Sequence, residues 1–353
     1  VNKTSISWTD FSSNPLYVVD KETGKRGWFC EKVSPGCAHC YASALNVRRG
    51  TGHAYIPANR DKVQWRLNER ELDAIRRRRK PTRIFMCDMT DLFHEDVPDG
   101  FIAWVWLTMA RAGQHTFQVL TKRPERMKDF LARWNDLSGE SSEPQLVRGP
   151  QATRERHPSG RGQLFAAYLD ELGKPSGGVP PPGAAWPTFD WMEGPRWWPT
   201  IPLPNVWIGV SVENQRMADE RIPVLLDTPA AVRFLSCEPL LGALDLSRYI
   251  GYQPQETRPT TRSGRSLSLI IVGGESGPGS AERKLVVENW CGDDCPYTVH
   301  TGWRPKPQAL EWVRSLRDQA VAAGVPFFFK QWGGPKPSSA GALIDGREWR
   351  QMP

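Results

Sequence analysis

Thr116–Trp134 reads TFQVLTKRPERMKDFLARW, and its three parts decide the fold. Thr116–Leu120 is a short apolar run with the length and composition of a buried strand. Thr121-Lys122-Arg123-Pro124 follows at once, polar and charged. Pro124–Trp134 then opens with proline at the first helical position, where its missing N–H costs nothing. Strand, polar turn and helix together make one β/α unit.

The same order recurs along the chain. Apolar runs stand at Arg83–Cys87 (RIFMC), Val206–Val210 (VWIGV), Val232–Leu235 (VRFL), Leu267–Val272 (LSLIIV) and Val325–Phe329 (VPFFF). Between them, Asp99–Ala112 places Phe101, Trp104, Val105, Thr108 and Met109 on one helical face, and Gln308–Ala323 does so with Leu310, Val313, Leu316 and Ala320. This alternation predicts an α/β fold with a parallel sheet and right-handed crossovers. Each run ends in chemistry: Asp88-Met89-Thr90-Asp91, Lys122-Arg123, Ser211-Val212-Glu213-Asn214, Ser236-Cys237-Glu238-Pro239, Gly273-Gly274-Glu275-Ser276 and Lys330-Gln331-Trp332-Gly333. In a β/α barrel those positions form the active-site rim. Ordinary loop polarity accounts for one or two such clusters, but poorly for six.

The 353 residues carry 46 Lys and Arg against 39 acids, a net charge of +7 that favours polyanionic partners. The densest run, Arg76–Lys80, reads either as a polyanion contact or as a solvated helix end whose cations suit the dipole. No stretch approaches the roughly 20 apolar residues of a membrane span, and no charged-then-apolar segment opens the chain. The expectation is a soluble, cytoplasmic protein with no membrane partner. Residues 137–200, rich in Pro, Gly and Trp, read as an inserted flap, 252–266 as an exposed loop and 289–301 as a small insertion. Sixteen tryptophans serve either base stacking or packing.

Three of the seven cysteines crowd into Phe29–Ala42 (FCEKVSPGCAHCYA) as Cys30-x6-Cys37-x2-Cys40. An odd count without a secretion signal argues against a disulfide framework. Pro35-Gly36 supplies a tight turn before the second cysteine. Zinc closed by His39 or His53 fits this spacing. So does a cubane cluster whose fourth iron stays open. Spacing alone leaves both standing. Cys291-x3-Cys295 is a weaker candidate for a second metal.

The order of motifs resembles a phage-associated family of radical S-adenosylmethionine (SAM)-like three-cysteine proteins, distantly similar to spore photoproduct lyase. The resemblance is carried by Ser7-Trp8-Thr9-Asp10, Asn14-Pro15, the three cysteines with Tyr41-Ala42, MTDLF (Met89–Phe93), LTKRPERM (Leu120–Met127), WIGVSVENQ (Trp207–Gln215), FLSCEPLLG (Phe234–Gly242), IVGGESG (Ile271–Gly277) and FFFKQWG (Phe327–Gly333). These span nearly the whole chain. Two departures are visible. Six residues separate the first two cysteines where three are commonest, and Leu16–Phe29 looks inserted.

The resemblance implies a partial (β/α)6-type TIM barrel of the radical SAM kind, as one domain over residues 1–353 with inserted loops. It implies a [4Fe–4S] cluster on Cys30, Cys37 and Cys40, with SAM chelated at the open iron. Lys122 would meet the SAM carboxylate, and Asp88, Asp91, Arg123, Ser211, Glu213 and Asn214 are further cofactor-binding candidates. Local alternatives stand beside these: ion pairing for Arg123, strand-end capping for Ser211, Glu213 and Asn214, a turn for Asp91. Glu238, Glu275 and Lys330 are candidates for substrate or proton handling. Cys237 is either a hydrogen donor or inert packing. The expected reaction modifies or rearranges a nucleic-acid base, most concretely a hypermodified thymine in phage DNA within the host cytoplasm. A reductant such as flavodoxin or ferredoxin would supply electrons. Two alternatives remain: a radical SAM enzyme acting on a peptide, nucleotide or small metabolite, and a non-catalytic zinc-stabilised nucleic-acid-binding protein.

Overall fold

The computed structural model describes residues 1–138, 201–250, 266–277, 281–288, 302–336 and 339–353. The expected flap at 137–200, the loop at 252–266 and the insertion at 289–301 lie outside these residues, edges apart. The chain opens with β1 (Asn2–Lys3) and β2 (Phe11–Ser13). Next come β3 (Leu16–Asp20), β4 (Arg26–Gly27), α1 (Tyr41–Arg49), β5 (Val63–Leu67) and α2 (Glu69–Arg77). The β/α series follows: β6 (Arg83–Met86), α3 (Asp99–Arg111), β7 (Thr116–Thr121), α4 (Pro124–Ser138), β8 (Val206–Ser211), α5 (Gln215–Asp227), β9 (Val232–Cys237) and β10 (Leu269–Gly273). A short hairpin, β11 (Val286–Glu288) and β12 (Trp303–Pro305), leads into α6 (Pro307–Ala322) and β13 (Phe327–Gln331). The hairpin β14 (Leu343–Ile344) and β15 (Arg347–Glu348) precedes the last residues.

All six apolar runs became strands of one eight-stranded sheet in the order β1-β2-β6-β7-β8-β9-β10-β13. Every pairing from β2 to β13 is parallel, and β1 is an antiparallel edge. Strands from β2 to β13 therefore follow one another in chain order, without the reversal of order that marks a doubly wound sheet. At the far edge, the C-terminal residues run antiparallel along β13, with Phe329 N–H donating to the Trp349 carbonyl (2.9 Å) and Arg350 opposite Phe328.

Period-two alternation sorts the strand side chains between two cores. Ile84, Val119, Val210, Leu235, Val272 and Phe329 pack with the helices, against residues such as Val105, Leu131, Ile222 and Leu316. The opposite face carries a smaller cluster: Phe85, Phe234, Leu269, Ile271 and Phe328, gathered around Trp8. Trp8 is only 2% exposed and lies 4.7 Å from the Phe85 ring and 6.2 Å from Phe234, on strands separated by two others. One indole reaches both because the sheet curls around it into a half-barrel. Gln118 Nε2 donates to the Trp8 carbonyl (3.2 Å), and Asp10 pairs with Arg83 (3.0 Å), so the flanking residues hold Trp8 in place as an internal plug.

Two further elements bear on the sequence reading. In Leu16–Phe29, the segment that looks inserted, β3 pairs with β4 and with the later β5 in an antiparallel sheet whose Leu16, Val18 and Trp65 join the main core. Arg76 and Arg77 end α2, which fits the helix-end reading. Arg78 caps that helix, and its Nε donates to Thr82 Oγ1 (3.1 Å) just before β6. The basic run thus sits at the N-terminal ends of the strands, away from the rim.

Trp8→Ala should empty the concave face and cost about 3–5 kcal/mol, as large-to-small aromatic deletions do, while Trp8→Phe should recover part of that. Urea midpoints at constant m-value check both.

Candidate functional site

The C-terminal strand ends meet a loop carrying the three cysteines. Cys30 follows β4, a 3₁₀ turn spans Pro35–Cys37, and Cys40 is the N-cap residue of α1. All three are free thiols of intermediate burial. Four contacts fasten the loop to the rim. Ser34 Oγ donates to Glu213 Oε1 (2.6 Å) beyond β8. His39 Nδ1 lies 3.2 Å from Glu275 Oε2 beyond β10. Arg283 Nη2 donates to the Pro35 carbonyl (3.0 Å) while gripping Glu275. Arg123 Nη1, beyond β7, donates to Cys30 Sγ (3.7 Å).

Glu213 is fully buried and doubly answered, since Arg221 Nη1 donates to its Oε2 (3.0 Å). Lys122 Nζ reaches Ser211 Oγ (3.1 Å) and stands 3.9 Å from Glu213 Oε1. A Cβ at Gly36 would fall 2.3 Å from that Oε1 atom, so the loop sits this close only because residue 36 has no side chain. Glu213 is thus a latch. Asn214 is the N-cap of α5, accepting from Met217 N–H (3.0 Å). The local capping reading holds for that residue.

Asp91 is also internal. It accepts from Thr121 Oγ1 (2.7 Å), from the N–H groups of Lys122 and Phe93 (3.0 Å each) and from Arg123. Burial works against its ionisation, but Arg123 and these donors outweigh it and hold the carboxyl below its ordinary value. Asp88 differs, because its hydrogen-bond donors are neutral. Asn14 Nδ2 meets Oδ1 at 2.6 Å and the Tyr41 hydroxyl lies 3.4 Å from Oδ2. Burial pushes its carboxyl above the ordinary range, only partly offset by those donors. Cys87, with φ 62°, makes the sharp turn after β6 that delivers Asp88 to this position.

Across the mouth, Glu238 and Lys330 form an ion pair (3.1 Å) between β9 and β13. The intervening strand, β10, presents Gly273 there, and a Cβ would fall 2.4 Å from Glu238 Oε1. Trp8 Nε1 and Ser236 Oγ both donate to Glu238 Oε2 (3.3 Å each). Cys237, the next residue back, is wholly buried in the helix-side core, facing away from the mouth. Inert packing is its position; a hydrogen donor to the mouth would have to lie on the other face.

Sequence reasoning found the rim residues and missed their fasteners. Arg221 and Arg283 lie in no quoted motif, and within FCEKVSPGCAHCYA Ser34 carries no assigned role and Gly36 only that of a turn. Trp8 and Tyr41 stood inside quoted motifs, with nothing to indicate that one fills the cup and the other hydrogen-bonds at its edge.

A family model matches residues 3–294 and 299–353. The chain belongs to the family described as protein of unknown function (DUF5131). No curated protein and no solved structure matches it.

The cysteine loop of this DUF5131 protein offers three thiols as potential donors. Burial raises the Cys30 thiol to about 12, with Asp91 and Cys40 pushing the same way and Arg123 opposing. A thiol in that setting ionises readily only when a metal takes the proton's place. Among the described residues, no three His, Cys, Asp or Glu side chains gather tightly enough to grip one ion. The three thiols of the loop are therefore not closed on one point.

Two outcomes test this rim. Gly36→Ala should drive Glu213 from its seat and cost about 1–3 kcal/mol, as overpacking does, read as a lowered denaturant midpoint. Glu275 is the second. Burial opposes its ionisation, yet Arg283 and His39 hold its carboxyl below the ordinary value. The stability it adds is therefore complete above the unfolded carboxylate pKa of about 4.3 and lost as pH falls through the lower folded value. Melting temperature should drop with acid across that window, and Glu275→Gln should flatten the drop.

Proposed function

We propose that this protein is a radical SAM enzyme, with a [4Fe–4S] cluster held by Cys30, Cys37 and Cys40, acting on a nucleic-acid base. The observation that carries the reading is the fastening of a three-cysteine loop across the C-terminal rim of seven parallel strands in chain order. That winding agrees with the partial TIM barrel of such enzymes, and active sites of β/α barrels lie at that rim. When bound, cluster and SAM supply one-electron chemistry able to take hydrogen from an unactivated carbon.

The chain's own groups have matching tasks. Lys122 is a rim ammonium suited to a cofactor carboxylate, its charge set against buried Glu213. Asp88, lacking a cation among its donors, is suited to an amine or hydroxyl donor on the cofactor. Glu238 and Lys330 present an acceptor and a donor side by side, the complement of the amide edge of a base. Trp8 fills the cup beneath them and excludes water from its floor.

Support for a polyanionic substrate comes from the cap. Residues 16–67 hold nine Lys and Arg and four Asp and Glu, a net +5 out of the chain's +7. Lys32, Arg48 and Arg49 are exposed there, and the Tyr41 ring, 57% exposed, stands beside the mouth where a flipped base could stack. Modification of an already altered thymine in phage DNA is the most specific form of the proposal.

One observation favours a second reading, a zinc-stabilised nucleic-acid-binding protein. His39 is held through Nδ1 by Glu275, the way carboxylates orient zinc-binding imidazoles.

Anaerobic purification with iron, sulfide and zinc analysis, plus electron paramagnetic resonance with and without SAM, separates the two. About four irons per chain and a SAM-perturbed signal, both lost in Cys30→Ala, Cys37→Ala and Cys40→Ala, are expected. Stoichiometric zinc without iron in protein kept anaerobic would overturn the enzyme reading.

A further inference from the structure

Arg123 is 6% exposed and held from three sides. Its Nε meets both oxygens of Glu95 at 3.0 Å, and Nη1 meets Asp91 Oδ2 at 3.2 Å and Cys30 Sγ at 3.7 Å. Asp91 is itself immobilised by three further donors, so the guanidinium cannot swing away without breaking that network. Nη2 is buried and has no hydrogen-bond partner among the described residues. A guanidinium carries five N–H donors. Two carboxylates suffice to compensate its charge, but they explain neither the N–H directed at sulfur nor the two N–H groups left over. Leaving buried donors unanswered is costly, and such groups call for an explanation. An anionic, sulfur-rich centre beside Cys30 is an acceptor of the right kind.

We propose that Arg123 is a positioning residue for the metal centre, donating to the Cys30 sulfur and favouring the reduced state by its fixed charge. The inference rests on the [4Fe–4S] reading of the loop. On reduction the centre gains one electron from a low-potential one-electron carrier, and no proton or bond to Arg123 changes. A cation held within a few ångströms in a poorly screened site stabilises the more negative state. Hydrogen bonds to cluster sulfurs act on the potential in the same way. Glu95 and Asp91 oppose the effect, so each substitution has its own sign. Removing the cation leaves two carboxylates beside the sulfur. Removing Glu95 leaves the cation less compensated. Glu95 also meets Arg60 at 3.6 Å and its side chain is 53% exposed, which makes it the gentler of the two changes.

The test is a redox titration of the anaerobically loaded full chain with dithionite and mediators, read by electron paramagnetic resonance of the reduced centre. Iron content and metal-free melting temperature are recorded alongside. Arg123→Gln should change the reduced-to-oxidised ratio at fixed potential at least tenfold toward oxidised, about 59 mV for one electron. Arg123→Lys, keeping the charge without the fork, should fall between. Glu95→Gln should move the ratio the opposite way, and it decides the matter if Arg123→Gln does not fold. Full iron with an unchanged potential in Arg123→Gln, or a Glu95→Gln shift toward oxidised, would overturn the inference alone. Wild-type protein that takes up no iron would instead overturn the functional reading beneath it.

Discussion

Glu213 is wholly buried, and a carboxylate in that place persists only while its charge is compensated. The compensation comes from three parts of the chain: Arg221 on α5, Lys122 beyond β7 and Ser34 in the cysteine loop. The two cations tie neighbouring β/α units together, and the hydroxyl ties the loop to both. Removing one partner strands a buried charge, which is why such sites hold their geometry firmly. The rest of the rim repeats the device. Asp91 with Arg123 and Glu238 with Lys330 join segments far apart in sequence, while Glu275 with Arg283 closes a local pair that also reaches the cysteine loop.

The energetic logic divides the molecule into two parts. Helix-side packing of Ile84, Val119, Val210 and Val272 supplies hydrophobic stabilisation that any β/α protein has. The concave side is different. Its apolar cluster is small and centred on one indole, whose N–H is spent on Glu238. Trp8 therefore links filling of the cup to the arrangement of charge at its mouth. This is the kind of support that functional groups need if they are to stand at fixed distances.

The sheet was legible because its strands are buried on both faces and read as mostly apolar runs such as LSLIIV and VPFFF. Their polar ends were legible because six of them shared one position relative to the strand. β2 was not, since Phe11-Ser12-Ser13 has one apolar residue and is recognisable only by its pairing with β6. The sheet of β3, β4 and β5 was not legible because its strands are short and β5, the partner of β3, lies more than forty residues on. In the site, residue types were visible but partnerships were not. Nothing in the sequence shows that Arg123 meets Cys30 or that Asn214 caps α5. Those facts belong to side chains brought together by the winding of the sheet.

Gly36 and Gly273 share a feature that bears on which sequences this architecture admits. Neither has the left-handed backbone that usually explains a glycine, so both could adopt the angles of any residue. What excludes a larger residue is a carboxylate oxygen standing where the methyl carbon would be, Glu213 at one position and Glu238 at the other. Each glycine and its glutamate therefore share a single volume. A side chain at either glycine would displace the acid from its present seat, and with it the arrangement of charge on that side of the mouth.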